Sequence, residues 1–310
     1  MNRILAAACT ATFALGTPAA EASTFDILTT FTPGGETVST TAGNTAISEG
    51  FSIRQRQLLS VAESFWENVL VGFSGLGSAS FALTATMAAI DGAYGTAAFA
   101  GPKTFKYVKG TDPTSGADKT FVRATGGRMV FDADDFGAGA STPQSEETFL
   151  TAAIHEVAHA VGFGTLFSYN GLLDSAGQRY IGGEAVAAFN ATNGTSVASL
   201  LLQDGGGHWS ECWVADATGA ACSAEDGSGA PGLFNDSEIL SAVLPRGEPT
   251  FAAASIAAFR DLGFLTIDPS AGLRIPGVPT AVAPVPLPAG GVLMLAGLGG
   301  LAALRRKRRG

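Results

Sequence analysis

The sequence holds only three cysteines and three histidines in 310 residues, and 15% of it is charged. So low a charged fraction beside 46% hydrophobic residues excludes a disordered polar chain. Positive charge is also in short supply. The formal net charge is −9, which excludes a nucleic-acid partner, because that role needs a basic patch against phosphates. No internal repeat and no long low-complexity linker interrupts residues 23–268, and the length suits one large domain or two small ones. Cys9 lies in an apolar leader, while Cys212 and Cys222 stand ten residues apart in a Gly/Ala/Ser-rich segment. That spacing matches no zinc ribbon, and in an oxidising compartment the two are expected to pair and close a small loop.

What basic charge there is gathers at the ends. Five of the 18 basic residues (Arg305, Arg306, Lys307, Arg308, Arg309) fall within the last six positions. Residues 1–22 read as a secretory signal peptide: Arg3 supplies the positive start, Ile4 to Leu15 the apolar run, and Ala20-Glu21-Ala22 a small-x-small cleavage site. A Pro-rich linker covers residues 269–284. Residues 285–310 open with Val285-Pro286-Leu287-Pro288-Ala289 and run through 18 uncharged residues from Leu287 to the basic cluster. That is near the lower limit for a transmembrane helix, and the basic end would stay in the cytoplasm. The arrangement resembles the tripartite sorting signals of bacterial surface proteins, the PEP-CTERM type in its VPLPA variant. The resemblance implies a membrane transpeptidase-like processing enzyme as partner and a membrane-inserted tail that is at least transient; a plain tail anchor is the other reading. Either way the chain is expected to be exported, to the cell surface or beyond.

Between the ends, Phe25 to Phe31 is β-rich, and Phe81 to Ala89, Thr104 to Val108 and Thr120 to Phe131 read as strands between Gly/Pro/Asp turns. Ile53 to Val71 has apolar residues at helical spacing, with a stop at Gly72. Pro143 at a first-turn position, with Glu146 and Glu147 near the positive helix end, opens a second helix that runs to about Val161. Its interior is apolar almost all round, so the helix is expected to be buried. In its middle sit His155, Glu156 and His159, polar residues that need partners at such a place.

His155-Glu156-Val157-Ala158-His159 is an HExxH motif. Positions i and i+4 share a helix face, so both imidazoles can reach one Zn²⁺ at about 2.0–2.1 Å. Glu156 falls beside them, placed to take a proton from a metal-bound water as that water attacks a carbonyl. A third ligand is required. The remaining histidine, His208 in Gly205-Gly206-Gly207-His208, stands 49 residues after His159 and is the first choice; Glu184 is the second and Asp174 the third. Asp132, Asp134 and Asp135 offer oxygens for a structural Ca²⁺, against the plainer reading of a solvated acidic turn.

The stretch HEVAHAVGF (His155 to Phe163), a long insertion and then GHWSE (Gly207 to Glu211) resembles the leishmanolysin family of metzincins. Ser237 to Leu240 resembles its Met-turn, with Leu240 in place of the methionine, and Ser255 to Phe264 its final helix. Gly126 to Asp135 resembles the edge strand before the zinc helix in bacterial relatives. The resemblance implies an α+β zincin fold: a mixed twisted sheet with an edge strand over a buried zinc-binding helix, and a smaller C-terminal subdomain. It implies a metalloprotease domain over residues 23–268, with His155, His159 and His208 on one catalytic zinc, Glu156 as general base, and protein or peptide substrates. Thr165 stands where many metzincins place their third histidine, and no cysteine between residues 23 and 155 is present to act as a cysteine switch. The competing reading is a surface or matrix structural protein that keeps the fold without the chemistry. A chain ended at Pro284 is expected to stay soluble and active, measured by soluble yield and protein hydrolysis. An inactive, unfolded product would place the domain boundary elsewhere.

Overall fold

In the first strand, buried Phe25 and Ile27 alternate with exposed Asp26 and Leu28, the pattern of a sheet with one covered face. The computed structural model describes residues 25–40, 44–76, 78–203, 205–210, 212, 237–242, 245, 248–270 and 272–279. The signal peptide, Glu211, Cys222 and the sorting segment 285–310 lie outside the described residues. Chain order is β1 (Phe25–Phe31), β2 (Thr37–Ser39), β3 (Thr45–Glu49), α1 (Ile53–Val69), β4 (Leu70–Phe73), β5 (Ala79–Ala88), β6 (Ala98–Thr111), β7 (Asp118–Asp132), α2 (Ala133–Phe136) and α3 (Glu146–Val161). Then come β8 (Arg179–Tyr180), α4 (Gly183–Asn193), β9 (Leu200–Leu201), β10 (Thr250–Phe251), α5 (Ala253–Asp261), β11 (Phe264–Thr266) and β12 (Leu273–Arg274).

The architecture is α+β. Six strands form a mixed sheet in the order β2-β3-β5-β7-β6, with β1 also paired to β5. β1 and β7 run parallel to β5, whereas β3 and β6 run antiparallel to their neighbours. Helix α3 packs on β6, β7 and α1. Among the described residues no helix is long and apolar enough to cross a membrane.

Three expectations need correction. The stretch Gly126 to Asp135 is not an edge strand: residues 126–132 lie in β7, paired with β5 on one side and β6 on the other, and 133–135 turn into α2. The edge on that side is β6, whose Pro102, register shifts beside Thr104 and exposed Lys103, Lys106 and Lys109 all discourage further pairing. β7 suits the interior because its second half is buried almost throughout. Secondly, α1 stops at Val69 rather than Val71, because Leu70–Phe73 are taken up by antiparallel pairing with β11. Ser52 starts that helix through a capping box with Gln55. Thirdly, α3 is capped by Ser145, whose hydroxyl accepts the Thr148 N–H, so Pro143 precedes the helix instead of opening it.

Trp66 locks the two long helices together. Its buried indole N–H donates to the Ile154 carbonyl at 2.8 Å, one residue before His155, and its ring packs on Phe251 and Phe259. On the sheet side α3 approaches closely at Gly127. A side chain there would come within 2.8 Å of the Phe81 ring and 2.9 Å of the Ala160 carbonyl oxygen. Gly127→Ala is therefore expected to push α3 off the sheet and to destabilise the fold by about 1–3 kcal/mol, read from urea unfolding.

Candidate metal centre

Helix α3 carries His155 and His159 one turn apart on the same face, with their Nε2 atoms 2.9 Å from each other. His208 brings its own Nε2 to 3.2 Å from that of His155 and 3.1 Å from that of His159. Three ligands at 2.0–2.1 Å from a tetrahedral ion stand about 3.3 Å apart, so this triangle is the right size for one ion. Among the described residues it is the one group of three or more His, Cys, Asp or Glu side chains close enough to hold a metal.

The hydrogen bonds behind the rings settle where the lone pairs point. His155 Nδ1–H donates to the Ile239 carbonyl at 2.5 Å, and His159 Nδ1–H to the Phe163 carbonyl at 3.2 Å. A carbonyl only accepts, so in both neutral rings Nδ1 holds the proton and Nε2 the lone pair. Burial favours the neutral rings. It pushes the His155 pKa down, that of His159 well down with help from the other two imidazoles, and that of His208 to about 4.

His208 reaches the helix because the chain turns tightly just before it. Gly205 and Gly206 take φ of 90° and 73°, the region glycine tolerates. On the helix side Gly164, at φ 76°, has the Gly207 carbonyl so close that a side chain would meet it at 2.6 Å. Trp209 then anchors the loop. Its fully buried ring packs against Phe163 and Tyr180 with centroids 5.3 and 5.2 Å away, and its backbone N–H donates to the Leu240 carbonyl at 3.1 Å. A buried indole contributes about 5 kcal/mol gross, against about 1 kcal/mol for one hydrogen bond, so the aromatic contact dominates the anchoring.

Glu156 is buried, and its Oε2 has no hydrogen-bond partner among the described residues. Burial raises its pKa to about 8. With the three histidines it lines a cleft of about 900 Å³ whose other wall includes Ala97 to Ala100, spanning the start of the edge strand β6. Thr165 also lines this cleft.

The other candidates fall elsewhere. Glu184 starts α4, pairs with Arg260 at 3.7 Å and accepts the Thr114 hydroxyl at 3.4 Å. Asp174 accepts the N–H groups of Gln178 and Arg179 within a turn. The acidic trio does not assemble a calcium site. Asp132 accepts the N–H groups of Ile90, Asp91 and Asp134, and Asp135 that of Tyr94, so their oxygens hold the loop before β6. Leu240 is fully buried in the turn whose Ile239 carbonyl holds His155. Cys212 is fully buried, and its expected partner Cys222 lies outside the described residues. The two supporting carbonyls carried no signal in the sequence, since every residue has one.

A scan against protein-family models matches none, and a search of the curated proteins finds no match.

His208→Ala is expected to weaken binding of a divalent metal ion by more than about 100-fold, a larger loss than outer-shell changes typically cause. Glu184→Ala should leave the affinity within about twofold. Chelator competition measures both, and an unchanged affinity in His208→Ala would remove that residue from the ligand set.

Proposed function

We propose that the chain is an exported zinc-dependent endopeptidase with a metzincin-like zincin fold, similar to the leishmanolysin family. The observation that carries this reading is Glu156: a buried carboxylate oxygen with no partner among the described residues, in the same cleft as three converging imidazole nitrogens. A purely structural metal site has no use for such a group, and leaving a buried polar atom unpaired costs about 1–3 kcal/mol. General-base chemistry does have a use for it.

Three imidazole nitrogens, with no thiolate beside them among the described residues, suit zinc. Held by His155, His159 and His208, zinc would supply Lewis acidity that makes a nearby water more acidic and draws down the pKa of the neighbouring Glu156 carboxyl. Glu156 Oε2 takes a proton from the attacking water and later delivers it to the leaving amide nitrogen. Ala97, Ala98, Ala100 and Ala152 line the cleft with methyl groups, which leaves room for a polypeptide beside the edge strand. Carbonyl partners keep the proton of His155 and His159 on Nδ1, so an ion on Nε2 would leave neither ring a lone pair with which to compete with Glu156 for that proton. Export, with the tail serving placement rather than catalysis, rests on the signal-like and VPLPA-type segments of the sequence.

Glu156→Gln is expected to lower hydrolysis of a protein substrate by at least about 100-fold while one zinc per chain is retained, by elemental analysis. Undiminished hydrolysis would overturn the role of Glu156, and a wild-type chain purified without stoichiometric metal would overturn the zinc reading.

A further inference from the structure

Glu238, only 3% exposed, sits in the turn behind the histidines with both carboxylate oxygens engaged. Oε1 accepts the Leu240 N–H at 3.2 Å and the Ser255 hydroxyl at 2.8 Å, and Oε2 accepts the Ala252 N–H at 2.7 Å. Ser255 Oγ in turn accepts the indole N–H of Trp209 at 2.8 Å. Ala252 caps the N-terminal end of α5, where the helix dipole favours an anion. One carboxylate therefore joins three segments: the turn whose Ile239 carbonyl holds the His155 ring, the residue next to His208, and α5.

Packing alone does not call for this arrangement. A buried carboxylate is commonly no more stabilising than an apolar side chain of its size. Here burial pushes its pKa up to about 7 in spite of three hydrogen bonds, so holding the ion costs free energy. The links it makes lead to two of the three histidines by separate routes. Ligand positions in a metal site have to hold to about 0.2 Å, which backbone segments so far apart in sequence do not achieve without a tie.

We propose that Glu238 is a positioning residue of the histidine site: by fixing the turn and, through Ser255, Trp209, it sets the His155 and His208 rings at the spacing one ion requires. The proposal rests on the zinc reading above.

The test compares wild type with Glu238→Gln, Ser255→Ala and Phe73→Leu. Gln keeps the shape but turns an NH₂ or a weaker acceptor towards its partners, and Ser255→Ala cuts the Trp209 link while sparing the Leu240 and Ala252 bonds. Phe73→Leu is a control for general destabilisation, because Phe73 packs against Phe121 and Phe264 away from the histidines. Three quantities are read: zinc affinity by chelator competition, the visible spectrum of the Co²⁺-loaded protein, and the proton resonance of His155 Nδ1–H in metal-free protein. Glu238→Gln and Ser255→Ala are expected to lose about 10–100-fold in zinc affinity and to shift both spectroscopic signals, as outer-shell changes do. Phe73→Leu should lower the thermal midpoint and move none of the three. If both site variants keep wild-type affinity and spectra within twofold, Glu238 is only structural and the proposal fails. Should Glu238→Gln not fold, Ser255→Ala decides on its own. Should wild type bind no zinc, the zinc reading fails, while the His155 resonance in metal-free protein still decides whether Glu238 places the ring.

Discussion

Three imidazole nitrogens with their lone pairs turned to a common point repel one another unless a cation stands between them. In this chain the Nε2 atoms of His155, His159 and His208 approach to 2.9–3.2 Å, and the surrounding structure holds them there. Each constraint acts from behind the rings. The helix end supplies the Phe163 carbonyl, a turn far along the chain supplies the Ile239 carbonyl, and the Trp209 anchor supplies the third ring. Much of the fold beyond α3 serves to bring those last two to the helix.

That delivery depends on residues of opposite size. Gly164 lets two backbones touch where a side chain would not fit, Gly205 and Gly206 supply the positive φ of the turn before His208, and Trp209, Phe163, Phe167 and Tyr180 fill the volume just behind. The small residues set the distance and the aromatic ones provide the stabilisation. The same division recurs under α3, where Gly127 allows close approach to the sheet and Trp66 clamps the helix from the other side.

The edge strand shows how one element meets two demands. Ala97, Ala98, Phe99 and Ala100 line the cleft beside the histidines. Further along β6, Pro102, the irregular register and three exposed lysines protect the open edge from unwanted pairing. Asp132 and Asp135, carboxylates that invite a calcium reading, instead accept N–H groups of the loop that leads into this strand.

Local pattern made much of this legible without coordinates. The i, i+4 histidines, the buried helix around them, the strand periodicity of Phe25 to Phe31 and the glycine-flanked His208 are all short-range features, and the structure assembles the three histidines as their chemistry suggests. What the sequence could not show has one physical cause: it depends on pairings between distant segments. Strand order decided that β6 rather than residues 126–132 is the edge, and pairing with β11 decided that Leu70 and Val71 leave the helix. Tertiary contacts also turned Glu184 to Arg260 and Asp174 into its own turn, away from the histidines. The carbonyls of Ile239 and Phe163 are chemically identical to every other carbonyl in the chain, so only folding distinguishes them. The amino-acid sequence determined which side chains are able to hold an ion; the tertiary structure decided which backbone atoms aim them, because that depends on segments that meet only once the chain has folded.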